Sequence, residues 1–344
     1  MGMFLLTCPP LPMLTGSSSR TSSLTLVLAF GAVYVIWGST YLAIRIAVET
    51  IPPLLMIGAR FGLAGLLMYG WLRLRGRPAT SRRQWLQAAW IGTLMLGMGT
   101  GSVAWAEQYI SSGLAALLVT TVPLWMVLLD WLWKGNTQPS VRLFAGLALG
   151  GFGIFLLVQP TLNADALAVG PGVIVLVLLG AFSWSATSIY AKTADRVADP
   201  FVASAMQMTG GGMALIATGL ILGEGQAFDV STITQASFVG WAYLLVFGSF
   251  IAFSAYVWLN RNVSASKVAT YAYVNPVVAV LLGWWMLDEA VTLQMILAMV
   301  LLLAAVALLS LPPQTFTPAR TFLRRIARTR ALANTATPCP NEPC

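Results

Sequence analysis

The chain has 344 residues, of which 58% are hydrophobic and only 9% charged, and its mean hydropathy is +0.80. A soluble domain would carry roughly a quarter charged residues, so this composition excludes a soluble globular protein. The net charge of +8 would suit a nucleic-acid partner, but the basic residues lie in short loops and in the last tail, so we expect no nucleic-acid binding.

Apolar blocks fill the chain between two tails. The first tail, residues 1–23, is rich in proline and serine and is predicted to be disordered and cytoplasmic. Ten blocks follow, each close to the roughly 20 residues that a helix needs to cross a bilayer. They cover residues 24–44, 54–73, 84–105, 113–133, 141–158, 171–191, 201–222, 237–258, 267–287 and 292–311. Residues 312–344 form a basic tail, also predicted to be cytoplasmic.

The distribution of lysine and arginine predicts the orientation. With a cytoplasmic N-terminus, seventeen basic residues face the cytoplasm and only Arg45 faces the other side, while Arg60 lies within a block. Because cytoplasmic loops carry the excess of lysine and arginine, both termini are predicted to be cytoplasmic. The expected location is the cell's inner (plasma) membrane, which the chain crosses several times.

The second half of the chain repeats the first. Four residue pairs are separated by 147 positions and four more by 153, in register with the blocks. They are Trp37–Trp184, Thr40–Thr187, Pro53–Pro200 and Gly65–Gly212, then Trp105–Trp258, Ser111–Ser264, Ala116–Ala269 and Pro123–Pro276. Each copy, 24–158 and 171–311, then has five spans, and an odd number inserts the second copy with opposite polarity. The sequence therefore predicts an all-α fold of ten transmembrane helices in two inverted repeats around a central site.

Pro123 and Pro276 stand at equivalent places in the middle of the fourth and ninth blocks. Proline removes a backbone hydrogen bond and crowds the preceding turn, so each is predicted to bend its helix. Freed carbonyl groups are tolerated at bilayer depth where they face a cavity, which favours a role in gating. The alternative is that proline is simply more frequent in membrane helices.

The stretches WGSTYLAIRIAVETIPPLLMIGARFGLAGLLMY, ISSGLAALLVTTVPLW and NVSASKVATYAYVNPVVAVLLGWWMLDEAVT resemble the EamA domain of the drug/metabolite transporter superfamily. The resemblance covers residues 24–311 as two tandem domains. It implies a ten-helix transporter whose central cavity alternates its opening and which exports small organic metabolites, amino acids or toxic compounds. Relatives usually carry a Gly-Glu pair after both proline helices. Here Asp288–Glu289 follows the second one, and the first half has no such acid, so a symmetric role for it is not expected.

Arg60 is the basic residue inside a predicted span. It lies about six residues into the second block, roughly 9 Å from the end by helical rise. Charges inside a span are costly, so each is a functional candidate. The guanidinium could receive a substrate carboxylate or other anion, or could pair with Glu49 or Glu107 as a structural clamp. Its repeat mate is the neutral Gln207, so a site built on it would be asymmetric.

Glu107 and Asp130 are acidic residues near span ends. Either could carry a coupling proton if burial raised its pKa, or could contact headgroups and water at the interface. Histidine, the side chain best matched to proton relay near neutral pH, is absent from the chain. Proton coupling is therefore an open alternative.

Aromatic and amide side chains supply further candidates for the cavity. Trp37 and Trp184 are repeat mates at matching depth, and Trp125 follows Pro123 by two residues. These rings could stack on an aromatic or cationic ligand, or could simply pack between helices. The remaining predicted cavity residues are Tyr41, Gln207, Tyr271, Tyr273 and Asn275.

The leading hypothesis is a secondary transporter and not an enzyme. No GxxxxGK[ST] motif for ATP is present, the three cysteines lie in the tails, and we expect no metal or cofactor. An integral membrane enzyme would cluster His, Asp or Cys at a membrane face. A non-transporting scaffold would need neither the inverted repeat nor Arg60. The expected partners are a small-molecule substrate and the lipid bilayer, and both a monomer and a homodimer stay open.

Overall fold

The computed structural model describes residues 23–129, 131–132, 141–163, 171–191, 194, 197, 199–263, 265–268 and 270–310. Within these ranges the chain forms helices and turns and no strand, so the predicted all-α fold is confirmed. Residues 1–22 of the first predicted tail, the whole last tail and Asp130 lie outside the described residues, as does the side chain of Tyr273. Ser23, predicted as the end of the first tail, begins the first helix.

Twelve helices organise the described chain, and four of them arise from two interrupted spans. They are α1 Ser23–Ala47, α2 Pro53–Leu74, α3 82–106, α4 Ser112–Val119, α5 Val122–Leu129, α6 Val141–Asn163, α7 Pro171–Ala191, α8 Pro200–Ile221, α9 Gln235–Asn262, α10 Ala265–Val268, α11 Tyr271–Leu287 and α12 Leu293–Ser310. Two short helical turns, Glu224–Ala227 and Val230–Thr232, lie between α8 and α9.

Within the described ranges, five stretches are long and apolar enough to cross a membrane. They are α1, α2, the α4–α5 stretch Ser112–Leu129, α7 and α9. Shorter apolar helices cover Phe144–Leu157, Val274–Leu287 and Leu293–Leu308. The chain is therefore a polytopic membrane protein, whereas the count of ten spans stays a prediction.

Glycine allows α2 and α8 to cross at very short distance. A methyl side chain on Gly58 would lie 3.0 Å from the carbonyl oxygen of Gly212, and one on Gly65 would lie 2.7 Å from that of Ala205. Residue numbers rise along α2 as they fall along α8, so the helices are antiparallel. Real side-chain carbons do not occupy such positions, and helices in lipid approach this closely only through small residues.

The sequence repeat converts each of these two contacts between α2 and α8 into the other. Shifting Gly58 by 147 gives Ala205, and shifting Gly212 back gives Gly65, so one contact of the crossing becomes the other. An interface in which each contact recurs with its partners swapped is the mark of a two-fold axis. Because the two copies of this helix run in opposite directions, the repeat is inverted, as the sequence predicts.

Three of the twelve helices contain π-helical segments, in which the helix is wider than an α-helix. They are Ala32–Ile36 in α1, Thr93–Thr100 in α3 and Leu244–Phe253 in α9. The second and third are matched by the repeat, so this irregularity belongs to both halves. Carbonyl groups that lose their α-helical hydrogen bond in such segments need another partner inside a membrane. The Ser249 hydroxyl supplies one in α9, where it donates to the Leu244 carbonyl oxygen at 3.3 Å.

Both predicted proline sites lie in interrupted spans. Pro123 is buried at the second position of α5, directly after a break between α4 and α5 at Thr120–Thr121. The hydroxyl of Thr121 donates to the Leu118 carbonyl at 2.8 Å and so supplies a partner at the break. Pro276 lies inside α11, after the turn at Thr270. The gating role of both prolines stays a prediction.

At the predicted outer side, two glutamates each accept hydrogen bonds from the first residues of a helix in the other half. Glu224 accepts from the backbone N–H groups of Leu54 at 3.2 Å and Leu55 at 2.9 Å, at the start of α2. Glu289 accepts from the N–H and the hydroxyl of Ser112 at 2.8 and 2.9 Å, at the start of α4. Each carboxylate thereby satisfies orphan donors at a helix N-terminus and joins the two halves.

We predict that Gly65→Ala lowers the apparent free energy of unfolding by about 1–3 kcal/mol, because the added methyl group must push α2 from α8. The matched control is Gly70→Ala on the same helix, where nothing lies within 4 Å of the added atom. Alanine should stabilise that turn by roughly 0.5–1 kcal/mol. The measurement is thermal unfolding in detergent, and equal behaviour of the two variants would refute the close crossing.

Candidate functional site

A cavity lies between helices of both halves and has about 670 Å³ of space not occupied by protein atoms, its opening included. Its walls come from α1, α2, α3, α7, α9 and α11 and from the break between α4 and α5. The predicted residues along it are Trp37, Tyr41, Arg60, Trp184, Tyr271 and Asn275. The walls are otherwise mainly aliphatic and aromatic.

Arg60 brings a positive charge to this cavity and is only 3% exposed. Its Nε donates to the Ser249 hydroxyl at 3.1 Å, in the π-helical segment of α9. Its guanidinium carbon lies 4.2 Å from the centre of the Phe61 ring. Nη1 has no hydrogen-bond partner among the described residues. One edge of the guanidinium is thus anchored, while a donor on the other remains unsatisfied.

The structure does not pair Arg60 with either predicted clamp residue. Glu49 is exposed beyond the end of α1, and within the described chain the ion pair found joins Arg77 to Asp199 at 3.1 Å. A buried cation without an anion costs several kcal/mol unless a counter-charge arrives. The geometry therefore leaves Arg60 able to receive an anionic group from a bound molecule.

Four aromatic rings pack together at one end of the cavity, and we call Trp37, Trp184, Tyr256 and Tyr271 the aromatic cluster. Trp37 lies 4.9 Å from Tyr256, 5.5 Å from Tyr271 and 5.6 Å from Trp184 between ring centres. Tyr256 is 1% exposed, and its hydroxyl accepts from Trp184 Nε1 at 3.2 Å. Tyr256 borders a second cavity, of about 410 Å³ with its opening included, whereas the other three rings line the central one. The cluster thus lies between the two cavities.

Asn275 satisfies backbone groups where α1 is irregular. Oriented to donate, its amide nitrogen lies 3.0 Å from the Tyr34 carbonyl oxygen and 3.2 Å from that of Val33, both in the π-helical segment. It also lies 3.2 Å from the Tyr271 carbonyl oxygen, four residues earlier in α11. The amide thus ties α11 to α1 beside the cavity.

Two of the predicted residues lie away from this cavity. Trp125 packs edge-on against Phe182, with 5.4 Å between the ring centres. Gln207 is buried beside the second cavity, together with Asn260 and Arg261. The predicted roles of both residues stay predictions.

Glu107 is fully buried in the turn after α3, although the sequence left open a contact with water or headgroups. Both carboxyl oxygens lack a hydrogen-bond partner among the described residues. Arg45 of α1 donates a hydrogen bond to the backbone carbonyl oxygen of Glu107, not to its carboxyl group. The side chain is thus a buried acid outside the lining of the central cavity.

Sequence reasoning overlooked Tyr256, Ser249 and Phe253. Tyr256 and its neighbour Trp258 stand near the end of an apolar block, where aromatic residues usually mark the interface. Ser249 looked like an ordinary small residue of a span. Phe253 lines the cavity from the end of the same π-helical segment. The described residues contain no group of three or more His, Cys, Asp or Glu side chains that could hold a metal ion.

Comparisons with known proteins agree on one family. The sequence profile of the "EamA-like transporter family" matches residues 23–159 and 171–311. "Uncharacterized inner membrane transporter YedA" of Escherichia coli strain K12 is 41% identical over 259 residues, which cover 74% of this chain and 80% of the relative. "Uncharacterized transporter YoaV" of Bacillus subtilis strain 168 is 25% identical over 273 residues, or 79% of this chain and 91% of the relative.

A solved structure described as "Crystal structure of protein" shares the fold. It superposes with a TM-score of 0.59 at 20% identity and covers 84% of this chain and 98% of its own. The name of the Escherichia coli relative assigns that protein to the inner membrane. The predicted membrane location of this chain is confirmed, and the side on which its termini lie stays a prediction.

We predict that Tyr256→Phe lowers the apparent free energy of unfolding by about 1–2 kcal/mol, because Trp184 Nε1 loses its buried acceptor. The Ser188 hydroxyl, 2.9 Å from the Tyr256 oxygen, loses a partner as well. Tyr109→Phe is the control, since that side chain is 46% exposed. Thermal unfolding followed by tryptophan fluorescence measures both. A Tyr256→Phe variant as stable as the control would contradict a hydrogen-bonded cluster.

Proposed function

Since this chain belongs to the EamA-like transporter family, we propose that it is a secondary transporter that exports small organic molecules carrying an anionic group. The observation that carries the proposal is the buried guanidinium of Arg60 in the central cavity, with Nη1 unpaired among the described residues. The proposed location is the inner membrane, as in the named Escherichia coli relative.

The surroundings of Arg60 suit an amphiphilic anion with one carboxylate and an apolar or aromatic body. A guanidinium presents parallel N–H donors that match a carboxylate. Away from Arg60 the cavity is bordered mainly by apolar and aromatic side chains, among them Phe61, Phe253 and Trp37. Amino acids and drug-like acids have this combination of groups. A substrate with several anionic groups would find one basic side chain, that of Arg60, among the described residues that line the cavity.

The inverted repeat supports alternating access. Two copies of one unit in opposite directions can exchange their conformations, and each exchange would move the opening of the cavity from one membrane face to the other. The aromatic cluster lies between the central cavity and the second cavity, where a barrier to the predicted cytoplasmic side is needed. The broken spans at Thr120–Thr121 and near Thr270 supply bends beside the cavity.

The proposal is tested with purified protein in lipid vesicles loaded with one of three labelled probes. L-phenylalanine and 3-phenylpropionate carry a carboxylate, whereas phenethylamine does not. Relative to protein-free vesicles, which report passive leakage, we expect added efflux of the two carboxylates and little added efflux of the amine. Arg60→Gln should reduce carboxylate efflux by about tenfold or more, because a charge-assisted hydrogen bond contributes roughly 1.5–3 kcal/mol. Arg60→Lys should retain part of it, as the charge remains but the planar fork is lost.

The matched control is Arg75→Gln, an exposed arginine just beyond the end of the same helix, which should transport like the wild type. Ser249→Ala, which removes only the anchor of Nε, should give a smaller loss than Arg60→Gln. Unfolding temperatures of all variants identify any that fail to fold. Undiminished carboxylate efflux by folded Arg60→Gln, or equal efflux of the amine, would rule out the assigned role of Arg60.

A further inference from the structure

The carboxyl group of Glu107 is buried at the predicted outer side and forms no hydrogen bond or ion pair within the part of the chain that the structure describes. Glu107 is 0% exposed, and its carboxyl oxygens have no hydrogen-bond partner among the described residues. No lysine or arginine nitrogen of the described residues lies within 4.0 Å of them. An ionised carboxylate is strongly disfavoured in such a place. The arrangement therefore holds the carboxyl group in its neutral, protonated form.

The charged and titratable groups around Glu107 come from α1 and from the end of α11. They are Tyr41 and Arg45 on α1 and Glu289 beyond α11, all close enough to act electrostatically. Burial raises the pKa of Glu107 well above its ordinary value of 4.5, Glu289 raises it further, and Arg45 lowers it. Glu289 is fixed in place by its hydrogen bonds to Ser112.

Glu107 does not line the central cavity, but it acts electrostatically on Tyr41, which does. Its repeat mate, 153 positions on, is the neutral Asn260 beside the second cavity. An acid therefore stands at one end of the pseudo-symmetric core and an amide at the other. At this repeat position the acid of the predicted outer end can bind a proton, whereas the amide of Asn260 at the inner end cannot act as an acid.

We propose that Glu107 is the proton-binding site that couples substrate movement to the proton gradient. The proposal rests on the transport function proposed above. While the turn after α3 is closed against α1, the carboxyl group keeps its proton. When these elements separate, water and the nearby Arg45 guanidinium stabilise the carboxylate, and the proton passes to water. Protonation thus favours the closed arrangement, and its loss favours the open one.

The coupling is tested with the full chain in vesicles of phosphatidylethanolamine and phosphatidylglycerol, with labelled L-phenylalanine as the probe. Exchange of labelled for unlabelled probe at equal pH needs no gradient, whereas net efflux is measured with and without an imposed pH gradient. For the wild type we expect the gradient to change net efflux about fivefold or more. Glu107→Gln should still exchange, though more slowly because its neutral amide favours the closed arrangement, and should lose the response to the gradient. Glu49→Gln, at an exposed carboxylate on the same side, should retain both.

The outcomes separate the two proposals. Exchange by the wild type without any response to the gradient overturns the role of Glu107 and leaves the transport function standing. A response that persists in Glu107→Gln overturns it equally. Absence of exchange in the wild type for phenylalanine and the other two probes contradicts the transport function itself, and the coupling proposal falls with it.

A second readout needs no substrate. Because the pKa of Glu107 is raised on folding, the stabilisation linked to its neutral form is fully present below the ordinary value of 4.5. It is lost as the pH rises through the raised pKa. The unfolding temperature of the wild type should therefore fall more steeply with rising pH than that of Glu107→Gln. Parallel curves for the two proteins would overturn the proposal.

Discussion

The close antiparallel crossing of α2 and α8 is the constraint on which the rest of the structure depends. Small residues at Gly58, Gly65 and Gly212 let the two backbones meet at the axis that relates the halves. Because both helices are copies of one element, their contact fixes the halves in opposite orientations. The same symmetry relates the contact of α1 with α11 to the contact of α7 with α5. Gly38 adjoins the Asn275 carbonyl, and their repeat mates also meet, since Ser185 donates to the carbonyl of Val122 at 3.0 Å.

The inverted scaffold carries an asymmetric set of charges. Arg60 and Glu107 are buried in the first half, and their repeat mates, Gln207 and Asn260, are neutral amides. Amides preserve hydrogen bonding at low cost, whereas a buried charge needs a ligand, a proton or a counter-ion. Two conformations related by the axis would therefore differ in how they bind an anion and a proton. A direction of transport can arise from such a difference.

The sequence contained the signals for the fold, because apolar block length and the paired residues at fixed separations are local and countable. The sequence also identified Arg60 as a candidate site residue, since a charge inside a span is rare. It could not reveal Tyr256, because the π-helical segment of α9 changes which residues face inward, and that segment depends on tertiary contacts. It likewise could not decide between burial and exposure for Glu107, since a turn is enclosed only by elements distant in sequence. Trp125, predicted for the cavity, packs elsewhere.

The most direct test of the inverted duplication is the sidedness of two repeat mates at the ends of the crossing helices. Arg75 and Leu222 follow the last residues of α2 and α8, and both are exposed. In a chain whose three native cysteines are replaced by serine, each would be changed to cysteine and treated with a membrane-impermeant maleimide. An inverted duplication predicts labelling of Leu222→Cys in intact cells and of Arg75→Cys only after permeabilisation. Labelling of both variants from the same side would contradict it.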